Sequence, residues 1–151
     1  MTRRIISAVT LGILAACTNG GVPTSSGGSG GVTIDVNLTL SVPTKTQYGE
    51  SGGFKPAITT VAVGSQIRFV NTDSFAHTAT IIPNAQTFPS GSPFNVSAVT
   101  QHGTTLSGGF TSGALQAGSS SQTITADRPG TYLFGCFFHY GAPMRAAIIA
   151  Q

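Results

Sequence analysis

The stretch CFFHYGAPM (136–144) places a thiol, an imidazole and a thioether close together in one chain. Cys136 alone has three uses: an inert buried side chain, a partner in an intermolecular disulfide, or a thiolate held by a metal. Its neighbours favour the third. His139 follows three residues later and Met144 eight later, so a strand running into a tight loop could bring all three to one point. Thiolate, imidazole and thioether make a soft, polarisable donor set, which selects copper over hard cations. Gly141 and Pro143 suit a tight loop. Met144 is the only methionine after Met1.

One cysteine, two histidines and a weak axial methionine form the blue-copper arrangement, so a second histidine is required. The candidates are His77, in NTDSFAHT, and His102, in TQHGTTLSGG. Metal sites are held best on fixed backbone. His77 lies between two expected strands and is the predicted ligand. His102 lies in a Gly/Ser-rich stretch and is expected to be a solvated loop residue. Asn71 reads equally as a clamp on the 71–77 turn or as an ordinary turn residue.

The elements that must position these residues read as strands. Charged residues make up 7% of the chain, against roughly 25% in an average protein. Apolar residues are 40%, enough to bury a core. TIDVNLTLSV (33–42) alternates apolar and polar positions, the mark of a half-buried strand. Further strands are expected at 57–63, 66–71, 77–82, 121–126, 131–136 and 145–150, about seven in all, with no helix. NVSAVT (95–100) is either a short strand or loop. The Pro/Gly-rich span 83–118 reads as a long loop, and such loops are functional or poorly ordered. The predicted architecture is an all-β sandwich or Greek-key barrel.

The first residues look like a targeting signal. Arg3 and Arg4 precede the apolar run IISAVTLGIL, which is too short to span a bilayer. The run ends in LAAC, which resembles the bacterial lipobox. Residues 1–16 are then a lipoprotein signal peptide, with lipidation expected at Cys17. Residues 17–31 form a Gly/Ser-rich tether, and 32–151 the folded domain. The expected location is the cell envelope, with a lipid holding the chain to a membrane. After residue 16 there are five Lys/Arg and four Asp/Glu, a net of +1, so no basic patch argues for nucleic acid.

FVNTDSFAHTATII followed by PGTYLFGCFFHYGAPMRAAIIA resembles the cupredoxin family, in its plastocyanin/pseudoazurin branch. The likeness is strong at 61–82 and 127–150 and weaker over 83–120. It implies a cupredoxin-like Greek-key β-sandwich and one Cu(I)/Cu(II) ion held by His77, Cys136, His139 and Met144. It also implies single-electron transfer between redox proteins that dock on an apolar face near His139. That face is expected among Phe137, Phe138, Tyr140, Ala142 and Pro143, with one of the two phenylalanines in the core. The chain departs from the branch at Ala76, often Pro, and at Thr78, often Asn. The Thr78 hydroxyl is expected to make part of the bond that ties the two ligand loops. A copper homeostasis or delivery protein is the alternative. A copper enzyme is disfavoured, because only His102 is left to ligate a further ion. Nothing requires an oligomer.

Overall fold

A computed structural model describes residues 31–151. The expected signal peptide, Cys17 and the tether up to residue 30 lie outside the described residues. Ten strands follow one another: β1 (Val32–Val36), β2 (Thr44–Thr46), β3 (Gly49–Ser51), β4 (Phe54–Lys55), β5 (Ile58–Val61), β6 (Gln66–Asn71), β7 (Thr80–Ile81), β8 (Ile124–Thr125), β9 (Gly130–Gly135) and β10 (Arg145–Ala150). One sheet runs β4-β1-β6-β8 and the other β5-β10-β9-β7, with β2 and β3 forming a separate hairpin. Each large sheet contains one parallel pair. β1 lies beside β6, with Val36 opposite Asn71, and β10 beside β5, with Ala147 opposite Ile58. β9 and β10 are antiparallel, with Gly135 opposite Arg145. The all-β sandwich expected from the pattern is the fold observed.

Alternation explains how the sheets meet. Ile34 and Val36 of β1 and Ile67 and Phe69 of β6 point inward, against Phe134 of β9 and Ala146 and Ile148 of β10. Phe69 is the hub, with Phe134 at 5.3 Å, Phe110 stacked at 5.8 Å and Phe54 edge-on at 6.0 Å between ring centres. Fully burying one such side chain stabilises the fold by about 1.5–3 kcal/mol. The outer face of the second sheet is covered as well. Leu133 and Ala147 pack there with Tyr140, Ile82 and Phe88. The span 83–118 is therefore structural: Phe88 covers the outer face, and Leu106, Phe110 and Leu115 enter the main core.

Several expected strands differ from those observed. The strand expected over 33–42 stops at Val36, and Leu40 and Val42 are each 83% exposed. Three of the backbone donors there are taken by side chains instead of a neighbouring strand. Asp73 accepts from the Leu38 and Thr39 amides, and Asn37 accepts from the Leu40 amide. Strands β2, β3 and β4 lie between the strands expected at 33–42 and 57–63; they are two or three residues long and mostly polar. Residues 95–100 form a 3₁₀ turn at Val96–Val99, capped by Asn95, whose side chain accepts the Ser97 amide. The expected strands at 77–82 and 121–126 shrink to β7 and β8. The strands expected at 66–71 and 145–150 are observed with those bounds.

Candidate metal centre

Two loops at one end of the sandwich meet. The first leaves β6 and carries His77. The second leaves β9 at Cys136 and returns to β10 through Met144.

The first loop is held by buried polar side chains. Asn71 is fully buried. Its amide donates to the Phe75 and Leu115 carbonyls, each at 2.8 Å, and its oxygen accepts the Asp73 amide at 2.9 Å. Asn71 is thus a clamp, the first of its two expected roles. The His77 backbone is also fixed by Leu115: each amide donates to the other's carbonyl. A buried polar group left unpaired is costly, so these bonds specify one loop conformation.

The second loop is closed at its mouth by backbone bonds. The Cys136 amide donates to the Met144 carbonyl at 3.1 Å, and the Ala142 and Met144 amides both donate to the His139 carbonyl. Tyr140 is buried against the strand it follows. Its hydroxyl donates to the Pro89 carbonyl and its ring carries the Arg145 guanidinium at 4.2 Å. Gly135 makes that approach possible, because a Cβ there would lie 2.7 Å from the Tyr140 ring. On the far side, Met144 is fully buried and pressed against Gly53, whose φ is +71°.

Thr78 ties the loops together, as expected. Its hydroxyl accepts the Phe137 amide at 2.8 Å, and its own amide donates to the Cys136 sulfur at 3.3 Å.

The donor atoms converge. The Cys136 Sγ is 3.8 Å from His77 Nδ1 and 3.6 Å from His139 Nδ1, and the two nitrogens are 3.2 Å apart. A point in the plane of this triangle lies about 2 Å from each atom, the bond length range of a first-row ion to nitrogen and thiolate. Among the described residues these three form the cluster of histidine, cysteine and acidic groups able to hold a metal. Met144 is buried in the same core cluster as Cys136. The four side chains fit a single copper ion, with a soft sulfur set suited to that metal. Cys136 is fully buried, which leaves an intermolecular disulfide no access.

The electrostatics agree with a site built for a cation. Burial pushes the Cys136 thiol up, while the Thr78 amide works against that. An ion must therefore displace the proton to gain the thiolate. Burial lowers both imidazoles; Asp73 opposes this at His77, whereas the neighbouring His77 adds to it at His139. Both rings are thus held neutral, with a lone pair to offer.

His77 is fully buried and His139 half-buried. The His139 edge opens into a shallow apolar depression shared with Phe75, Ala76 and Phe138. Phe75 covers both imidazoles, at 4.8 Å from His77 and 5.2 Å from His139 between ring centres. The apolar face thus draws on the first loop, which sequence reasoning missed. Phe138 is 45% exposed and Phe137 half-buried, so neither is a core residue; Tyr140 takes that place. Leu115 and Asp73 were also missed. Leu115 carried no local signal, but an acid four residues before a buried histidine was visible in NTDSFAHT. His102 is exposed, with its backbone paired to Thr111.

Comparison with known proteins bears on the fold and the family. No curated protein matches the chain. A purple cupredoxin from Nitrosopumilus maritimus has the same fold at 16% identity, with a TM-score of 0.51 over 80% of this chain and 99% of that one. Plastocyanin from Dryopteris crassirhizoma aligns at 19% identity and a TM-score of 0.47 over 80% of this chain and 100% of its own. A copper-containing nitrite reductase from Thermus scotoductus aligns at 21% identity and a TM-score of 0.49, over 87% of this chain but only 24% of the enzyme. The family model for copper binding proteins of the plastocyanin/azurin family matches residues 41–151. With that match over most of its length, the chain belongs to the plastocyanin/azurin family of copper-binding proteins.

Proposed function

We propose that the protein carries single electrons between redox partners through one copper ion ligated by His77, Cys136, His139 and Met144. The observation that carries this is the triangle of Sγ and two Nδ1 atoms, already assembled at bonding separation by two hydrogen-bonded loops. Bound copper would supply a one-electron Cu(II)/Cu(I) couple. The chain's part is to keep the donors still, so that neither oxidation state requires rearrangement. Asn71 and Leu115 hold His77, the Thr78 amide rests on the thiolate sulfur, and the backbone bonds at 136–144 fix the other three donors. Buried His77, Cys136 and Met144 keep water from the centre, which leaves the His139 edge as the route in and out.

Delivery to another protein would require the donors to exchange one by one with a partner's. Their burial argues against it. The depression around His139 is apolar and suits a small, transient docking contact. With no charged residue lining it, partner binding should depend only weakly on salt. The partners are redox proteins, and the working unit is a monomer without enzymatic turnover. The LAAC signal supports lipidation at Cys17 and a place in the cell envelope. Cys17→Ala should then move the protein from the membrane fraction to the soluble one.

The deciding experiment is a visible absorption spectrum of the full chain loaded with Cu(II), then reduced and reoxidised. An intense thiolate-to-copper band that bleaches and returns is expected, and Cys136→Ser should abolish it. Colourless copper binding by the wild type would sink the assignment.

A further inference from the structure

Asp73 stands out as a charge that, among the described residues, has no Lys or Arg side chain to answer it. It is buried, yet both carboxylate oxygens are occupied. Oδ2 accepts from the Leu38 amide at 2.8 Å, the Thr39 amide at 3.1 Å and His77 Nε2 at 3.1 Å. Oδ1 accepts from the Thr39 hydroxyl at 2.6 Å and the Ser74 amide at 2.9 Å. Four of the five donors are amides or hydroxyls, and the fifth is the His77 ring, which is neutral here and donates through Nε2. Burial pushes the carboxyl up, but the Thr39 hydroxyl, the Thr39 and Ser74 amides and His77 outweigh it and hold it well below the usual range. A carboxylate has only acceptors, so His77 must carry its proton on Nε2, and Nδ1 keeps the lone pair that faces Cys136 and His139.

We propose that Asp73 is a positioning residue that sets the copper centre's preference between oxidation states. It fixes the His77 ring and its tautomer, makes the imidazole a stronger donor, and places a buried negative charge one ring away from the ion. The last two effects favour the more positively charged, oxidised ion, and in a buried site they are weakly screened. This inference rests on copper binding as proposed above.

The competing account is that Asp73 only staples the 38–39 turn to the ligand loop. Two variants separate them. Asp73→Asn keeps an acceptor oxygen and the shape but removes the charge. Thr39→Val removes one bond of the staple and leaves the charge. The measurement is the reduction equilibrium of the copper-loaded full chain by spectroelectrochemistry. Asp73→Asn is expected to favour the reduced form about tenfold more than wild type, equivalent to about 59 mV for a one-electron couple. Thr39→Val should change it less than twofold. A change below twofold in Asp73→Asn, or an equal change in both variants, overturns the proposal.

Should Asp73→Asn fail to fold, nitrogen-15 NMR of the wild-type Cu(I) form decides. A His77 Nε2 proton, shifted downfield and exchanging more slowly than that of His139, is expected. Its absence, or exchange as fast as at His139, overturns the proposal. A wild type lacking the thiolate-to-copper band removes the copper assignment and this inference together. A normal band with an unmoved equilibrium removes this inference alone.

Discussion

The two loops that meet at the metal centre are held in opposite ways. The 136–144 loop supplies three of the four donors and is closed by backbone bonds within itself, helped by Tyr140 and Arg145. The 71–78 loop supplies one donor and depends on side chains that reach across the molecule. Asn71 binds Leu115, Asp73 binds Leu38 and Thr39, and Thr78 binds Phe137. A short loop can be specified by its own sequence. A loop with one ligand must borrow its rigidity from the rest of the fold.

The largest test of that contrast is Asn71→Ala. It strips partners from the Phe75 carbonyl and the Asp73 amide and weakens the hold on Leu115. Unfolding in denaturant should show a loss of about 3 kcal/mol, since each buried group left unpaired costs about 1–3 kcal/mol. A loss below 1 kcal/mol would mean that the first loop is as self-sufficient as the second.

Gly53→Ala probes the packing that seats Met144 of the second loop. A Cβ there would clash with Met144 Cγ, on backbone at φ +71° that disfavours other residues. A loss of about 2 kcal/mol is expected, with a displaced copper band as Met144 shifts. An unchanged spectrum would show that Met144 is not coupled to the centre.

Thr78→Val cuts the seam between the loops. The Phe137 amide loses its acceptor, at a cost of about 1 kcal/mol by thermal unfolding, and the band should shift while keeping its intensity. Leu40→Ser is the smallest change. Leu40 is exposed beyond the end of β1, so stability should move by less than about 0.5 kcal/mol. A larger loss would show that the alternating segment 37–42 contributes to the fold after all.

What was legible in the sequence follows the same division. Cys136, His139 and Met144 were readable because their spacing is local and their chemistry is unlike that of a core. His77 was readable because it follows a strand whose alternation is strict, β6. The holding groups were not. Leu115 lies 38 residues beyond His77 in a stretch without periodicity, and nothing nearby says that its backbone will pair there. Residues 38–42 alternate as cleanly as β1 but join no neighbouring strand, and Asp73 takes the Leu38 and Thr39 amides instead. Alternation reports what a segment could bury, while pairing depends on which partner reaches its donors first.

The parallel pairing of β10 with β5 also bears on how the chain folds. Ala147 must find Ile58, nearly ninety residues earlier, and β9 is closed on one side by β10. Until these distant strands pair, His77 has no second donor held near it. Cys136 is buried only once Arg145–Ala150 has docked beside β9. Folds that rest on such distant pairings form slowly. The hazard for this protein is therefore concentrated in one interval, in which an unprotected thiol awaits the strand that buries it, and loading with metal belongs after that interval rather than within it.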